Sequence, residues 1–237
     1  MLKILYISPV GSDVFDEDVL ETIKKVKRRD VEAKVVHLSK GPAHLEYHYY
    51  EHLNLGETLE WVQWAEKEDY DAVIIGCFYD PGFREATELV SIPVVPVAMA
   101  TIHVAATLGH KFSIIVGRRK CIPKMESNVQ MYGLERKLAS FRVVNFTVPR
   151  MGEEPEKLRK SILVEAKKAI EEDGAEVIVL GCTAESGFMK ELISKLRVPV
   201  LDPVVTSWKY AEMMADLYRK VGLVHSKLYG YEAPPDV

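Results

Sequence analysis

A chain of 237 residues, 48% apolar and 28% charged, can bury a sizeable core as one large domain or two small ones. Its net charge of −4 and its short, scattered basic runs (Lys24-Lys25, Lys27-Arg28-Arg29, Arg118-Arg119-Lys120) argue against a nucleic-acid footprint. No apolar stretch is long enough to span a bilayer, and three cysteines without a C-x-x-C pair argue against a disulfide scaffold or a zinc cluster.

The elements alternate. Lys3–Ser8 has the length and apolar content of a strand. Asp16–Arg29 follows as a helix, with Val19, Leu20, Ile23 and Val26 at helical spacing behind an acidic first turn. The pattern then predicts strand Ala33–Leu38, helix Glu57–Lys67, strand Asp71–Gly76, helix Gly82–Leu89, strand Ile92–Val97 and helix Ala100–Leu108. It starts again with strand Lys111–Val116, helix Lys124–Leu138, strand Arg142–Thr147, helix Glu156–Glu172 and strand Glu176–Leu180. Helix Gly187–Leu196, strand Val198–Leu201 and helix Val204–Val221 complete it. Such alternation implies an α/β fold of parallel sheets with helices on both faces.

The second half repeats the first. Asp71-Ala72-Val73-Ile74-Ile75-Gly76-Cys77 has the pattern of Glu176-Val177-Ile178-Val179-Leu180-Gly181-Cys182. Each cysteine is followed five residues later by Gly-Phe, at Gly82-Phe83 and Gly187-Phe188, and then by a Pro-led strand at Pro93 and Pro199. A string of matches in one order implies internal duplication. The expected architecture is two similar α/β halves, residues 1–98 and 99–204, related by a pseudo-twofold axis with a cleft between them. The C-terminal segment 205–237 is expected to return to the first half.

A cysteine after an apolar strand is ordinarily a buried small hydrophobe. Cys77 and Cys182 differ in standing at the carboxyl ends of predicted parallel strands, where open α/β sheets place their ligands. They also hold the same place in both repeats, and packing alone gives no reason for Gly-Cys to recur there. Two thiols on opposite faces of one carbon are what stereoinversion needs: one removes a proton and the other returns one to the planar carbanion. Backbone amides of the loops 78–81 and 183–186 are placed to favour thiolate and hold anionic oxygen. No cofactor or metal is expected, because there is no G-x-G-x-x-G after a strand, no Walker loop and no H-E-x-x-H. The expected substrate-binding residues are Ser8, Phe78, Tyr79, Gly117, Arg118, Thr183 and Ala184, at or just past strand ends.

Through Gly76-Cys77-Phe78-Tyr79-Asp80-Pro81-Gly82, the run Asp173 to Cys182, Ile92-Pro93-Val94-Val95 and Val198-Pro199-Val200-Leu201-Asp202, the chain resembles the aspartate/glutamate racemase superfamily, and within it the hydantoin racemase branch. The resemblance implies a two-half α/β fold, cofactor-free proton transfer by Cys77 and Cys182, and homo-oligomers. Ser8-Pro9-Val10-Gly11 replaces the branch's usual Asn-Pro-Asn-Thr type of loop, and Gly117-Arg118-Arg119 stands where hydroxyl residues are usual. Thr183-Ala184-Glu185 is closer to the amino-acid racemases.

Other residues carry weaker signals. His44, Tyr47, His48, Tyr49 and Tyr50 form an aromatic cluster in a predicted loop, either a lid or contact surface or simple packing. Arg118 reads equally as an anion anchor or a solvated strand-end arginine. Cys121 has no repeat partner and reads as structural, and His103 as a core or interface histidine. Asp80 and Glu185, each three residues past a cysteine, suit the start of the following helix. Three readings stay open: a racemase or epimerase of hydantoin-like or amino-acid-like carbon acids; a maleate-isomerase-like or arylmalonate-decarboxylase-like enzyme; and a non-catalytic small-molecule-binding protein. The expected partner is a small molecule, with no nucleic acid and no membrane. The expected setting is the cytoplasm, given reduced thiols and an N-terminus that runs straight into a strand without a leader.

Overall fold

The computed structural model describes residues 1–235. Its first half comprises β1 (Leu2–Ser8), α1 (Asp16–Val26), β2 (Val31–His37), α2 (His48–Lys67), β3 (Ala72–Ile75), α3 (Phe83–Leu89), β4 (Val94–Pro96) and α4 (Val97–Leu108). The second half begins with β5 (Phe112–Val116), a 3-10 turn at Arg119–Cys121, α5 (Ile122–Met131), β6 (Leu138–Val143), α6 (Val148–Glu153) and α7 (Pro155–Asp173). It ends with β7 (Val177–Leu180), a 3-10 turn at Thr183–Glu185, α8 (Met189–Leu196), β8 (Val200–Leu201) and α9 (Pro203–Val221).

The halves form two four-stranded parallel sheets, ordered β2-β1-β3-β4 and β6-β5-β7-β8, so the second reproduces the first position by position. Strand alternation then sorts the side chains. Ile4, Tyr6 and Ile74 from the first sheet and Phe112, Ile114, Val116 and Val179 from the second share one core between the halves. Leu5, Ile7, Val73 and Ile75 pack outward against Val62, Ala65, Phe83 and Ala86. Ile115, Ile178 and Leu180 do the same against Leu158, Ile162, Ala166 and Leu192. Strands covered on both faces explain why β3 and β7 read as unbroken apolar runs.

The last helix of each half crosses to the other half. Helix α4 leaves β4 and packs on β7 and α5, whereas α9 leaves β8 and packs on β3, β1 and α1. The two crossing helices also pack on each other. Beyond α9 the chain lies against α3: His225 stacks on Phe83 with ring centroids 6.0 Å apart, and the Lys227 ammonium reaches the carbonyls of Thr87 and Glu88. Residues 236 and 237, the end of the expected C-terminal segment, lie outside the described residues. Among the described residues no helix is long and apolar enough to cross a membrane.

Three segments differ from the sequence pattern. Helix α2 starts at His48, nine residues earlier than expected, so His48, Tyr49 and Tyr50 of the aromatic cluster are helical. Helix α5 stops at Met131 because Gly133 takes a left-handed φ of 70°, and β6 occupies 138–143 instead of 142–147. Helix α6 was not expected; it is six residues long, with Pro149 in its first turn.

Candidate active site

The two Gly-Cys pairs stand directly after β3 and β7 and are built alike. The Gly76 N–H donates to the Ile7 carbonyl at 2.8 Å, and the Gly181 N–H to the Ile115 carbonyl at 2.8 Å. A Cβ on Gly76 would lie 2.3 Å from the Tyr6 ring and 2.7 Å from the Ile7 oxygen; on Gly181 it would lie 2.4 Å from the Ile115 oxygen. Packing therefore does account for the repeated glycine, contrary to the expectation that it gives no reason for the pair to recur. It gives none for the cysteine. Further on, Gly82 and Gly187 turn the chain toward the next helices with φ of 66° and 91°.

Both cysteines are partly accessible, and both line the same two adjoining cavities between the halves. Leu45, Val148 and Thr183 are also shared by the two. Phe78, Tyr79, Gly117, Cys121, Met125, Phe146 and Met151 complete the apolar wall of the first cavity, with Glu46 as its carboxylate. Tyr6, Ser8, Pro9, Phe15, Asp16, His44 and Ala184 line the second. Neither cavity is lined by a lysine or an arginine among the described residues. Nor is any group of three His, Cys, Asp or Glu side chains among them placed to hold a metal.

Of the expected substrate-binding residues, Ser8, Phe78, Tyr79, Gly117, Thr183 and Ala184 line one cavity or the other. Arg118 lines neither. Its guanidinium is turned to the buried Glu46, Nη1 to Oε1 3.3 Å, and sits 6.0 Å from the Tyr47 ring. Glu46 also accepts from the Val148 N–H at 3.4 Å, so a loop of the first half is tied to two points of the second above the cavity. The Ser8 hydroxyl donates to Asp16 at 2.8 Å. In the aromatic cluster, His44, Tyr47 and Tyr50 stack on one another at 5.0–6.1 Å, while Tyr49 faces outward. Cys121, read from sequence as structural, lines the first cavity. His103 is exposed on α4 rather than in the core, bonding the Met99 carbonyl.

Residues that sequence reasoning missed are chiefly the walls, Leu45, Glu46, Met125, Phe146, Val148 and Met151, together with Tyr6. Their side-chain types signal packing, and only the fold brings them to the cysteines. Glu46 alone had a signal, being a carboxylate set within the aromatic cluster, between His44 and Tyr47.

Burial governs the site's acidity. It pushes Cys77 up to about 12, against the Tyr79 N–H, which donates to Sγ at 3.5 Å. It likewise pushes Cys182 well above its ordinary range, with the Glu185 carboxyl adding to the effect and the Ala184 amide opposing it. Glu185 itself is fully buried in the turn after Cys182, both oxygens lack a partner, and burial pushes it up to about 8. Asp80, its counterpart after Cys77, is partnered. It accepts from the Ala98 and Met99 amides at 2.7 and 2.9 Å and from the Tyr132 hydroxyl at 2.7 Å, and burial still lifts it to about 7. Asp80 thus caps α4 rather than the helix that follows it directly, α3. In the second half that part is played by Asp202, which accepts from Val204 and Val205 at the start of α9.

Comparison with known proteins agrees with this geometry over nearly the whole chain. A hydantoin racemase of Paenarthrobacter aurescens is 34% identical over 99% of this chain and 98% of its own. One from Pseudomonas sp. (strain NS671) is 32% identical over 98% and 92%. Among solved structures, allantoin racemase from Klebsiella pneumoniae superposes with a TM-score of 0.94 at 26% identity, covering 100% of this chain and 95% of its own. The family described as Asp/Glu/Hydantoin racemase matches residues 4–211. With two equivalent parallel sheets and a cysteine after the third strand of each, the chain belongs to the Asp/Glu/Hydantoin racemase family.

Proposed function

We propose that the protein racemises a hydantoin-type substrate, a neutral ring with imide or ureido N–H groups, using Cys77 and Cys182 as its two proton-transfer groups. The observation that carries this reading is that both thiols line one pair of adjoining cavities whose acidic or basic side chains among the described residues, other than the cysteines, Tyr6 and Tyr79, are Glu46, Asp16 and His44. A dicarboxylate amino acid entering there finds no lysine or arginine in the lining, and two cations close by are engaged, Arg118 by Glu46 and Lys124 by Glu51. A ring with N–H donors suits a carboxylate wall. The hydantoin and allantoin racemases to which the chain is similar favour the same choice.

In the proposed reaction one cysteine, as thiolate, takes the proton from the stereogenic carbon. The C–H electron pair delocalises onto the adjacent carbonyl oxygen. The other cysteine, as thiol, gives its proton to the opposite face, and the roles are exchanged for the opposite enantiomer. Burial holds both thiols above their ordinary pKa, so a minor fraction of the protein carries a thiolate at neutral pH, its proton released to solvent, and that thiolate is the stronger base toward a carbon acid.

The test is circular dichroism of single enantiomers. Incubation with a 5-substituted hydantoin or allantoin should drive the signal to zero, and L-aspartate and L-glutamate should keep theirs. Racemisation of the amino acids with hydantoins untouched would overturn the substrate class.

A further inference from the structure

Tyr6 is a buried polar side chain that lines the cavity of the two thiols and for which packing offers no account. It lies in the middle of β1, is 1% exposed, and lines the cavity that also holds Cys77 and Cys182. Its hydroxyl has no hydrogen-bond partner among the described residues. A buried unpartnered hydroxyl costs about 1–3 kcal/mol, so a purely structural Tyr6 would be better replaced by an apolar residue.

The other half contains that replacement. Since the Gly76 and Gly181 amides donate to the carbonyls of Ile7 and Ile115, the residues before these, Tyr6 and Ile114, are pseudo-twofold counterparts. Both meet the glycine before the cysteine: a Cβ on Gly181 would lie 2.9 Å from the Ile114 side chain, as one on Gly76 would lie 2.3 Å from the Tyr6 ring. Both face the shared core between the halves. An isoleucine therefore fills this position in one half, and the tyrosine of the other adds a hydroxyl beside both thiols. The duplication supplies an internal control: what differs between the two positions is the polar group, and it is on one side of the cleft only.

We infer that the Tyr6 hydroxyl is a catalytic hydrogen-bond donor to the substrate, directed at the carbonyl oxygen next to the carbon that loses its proton. The inference rests on the racemase reading. When a thiolate takes the C–H proton, the freed electron pair moves into the carbonyl and negative charge collects on that oxygen. The Tyr6 O–H bond stays intact and its hydrogen bond to the oxygen shortens, after which the second thiol reprotonates the carbon and the charge returns. Burial, with the nearby cysteines, Asp202 and Asp16, holds the phenol well above its ordinary pKa, so it stays protonated and acts only as a donor. A donor fixed in position in a largely apolar cavity acts on the transition state far more than on the ground state.

Tyr6→Phe is the test. Against a 5-substituted hydantoin, kcat should fall about 10²-fold with KM within about threefold, and the melting temperature should be unchanged or higher, since an unpartnered hydroxyl is removed. A second measurement needs no turnover: in protein carrying ¹³Cζ-tyrosine, the Tyr6 resonance, assigned by its loss in Tyr6→Phe, should shift on saturation with unsubstituted hydantoin. A wild-type protein that racemises while Tyr6→Phe keeps kcat within twofold overturns the inference and leaves the racemase reading standing. So does a resonance that does not move although binding is saturated. A wild-type protein that neither racemises nor binds hydantoins overturns the reading and the inference together.

Discussion

At the scale of single residues, the site is two partly accessible thiols in a largely apolar wall that offers carboxylates and no lysine or arginine among the described residues. If each serves one face, Cys77→Ser and Cys182→Ser should both lose interconversion, about 10³-fold or more by analogy with removal of an essential acid or base. Each variant should still exchange the α-proton of one enantiomer with deuterium, and the enantiomer should differ between them. Proton NMR in D2O reads both, and a variant that keeps near-full racemisation would remove its cysteine from the mechanism. Thiol reactivity follows from burial. With Cys77 lifted to about 12, its alkylation by iodoacetamide should be slower than that of a free thiol at pH 8 and should still be accelerating at pH 10. A plateau near pH 7 would mean a stabilised thiolate.

Glu185 offers a stability test of the same physics. Its carboxyl is lifted to about 8 in the folded chain from an ordinary value near 4.5. Between these pH values the folded state holds a proton that the unfolded state has lost, so stability falls as pH rises through the window. By pH 8 the cost is on the order of 1–4 kcal/mol. Glu185→Gln mimics the protonated form, so its melting temperature should exceed the wild type's by several degrees at pH 8 and match it near pH 4.5. Equal differences at both pH values would mean that Glu185 does not titrate in this window. These residues also mark how far the sequence was legible. Cys77 and Cys182 stood out because duplication printed them twice, and strand ends located Ser8, Gly117 and Thr183 beside them. Met125, Phe146 and Met151 carry no such mark, since an apolar side chain in a core and one in a cavity wall look alike in one dimension. Arg118 misled for the opposite reason: its charge advertised a ligand, while its partner, Glu46, lies 72 positions away.

At the scale of elements, the joint between the turn after Cys182 and α9 is held by a single buried carboxylate. Asp202 is 1% exposed and accepts from the Ser186 hydroxyl at 2.9 Å, from the Gly187 amide at 2.8 Å and from the first amides of α9. Asp202→Ala removes a helix cap and strands two further donors, a loss of about 2–4 kcal/mol. The urea midpoint should drop with its slope unchanged, and racemisation should fall with it because the loop bearing Thr183 loses its anchor. A midpoint within error of wild type would show that the other contacts suffice. Elements with clean periodicity, β1, β3, β7 and α7, were readable in place. The first turns of α2 were not: His48-Tyr49-Tyr50-Glu51-His52 has no apolar stripe, and tertiary packing by Tyr50 and Asn54 starts the helix there. Strand β6 is a sheet edge with every residue half-buried, so its pattern lacks the contrast that identifies a strand.

At the scale of the whole molecule, the crossing of α4 and α9 makes each half complete only with a helix from the other. Unfolding should therefore be a single event despite the duplicated sheets. Fluorescence of Trp61 and Trp64, beneath the first sheet, and of Trp208, buried between the halves, should report the same denaturant midpoint as far-ultraviolet circular dichroism. Two resolved transitions would show that the halves are independent.

The same crossing bears on how a substrate gets in. The halves are clasped like hands with the fingers interlaced, and spreading them would drag each crossing helix off a strand of the opposite sheet. A hinge is the one motion this design forbids. The pieces beside the thiols are small, the segment around Leu45 and Glu46 and the short helix α6; Leu45 and Met151 anchor them in the cores, and Glu46 joins them through Arg118 and Val148. Glu46→Gln, which weakens both of those bonds and leaves the cysteines in place, should therefore alter the rate of substrate entry, read by stopped-flow binding of hydantoin, and an unchanged rate would show that these bonds do not limit access.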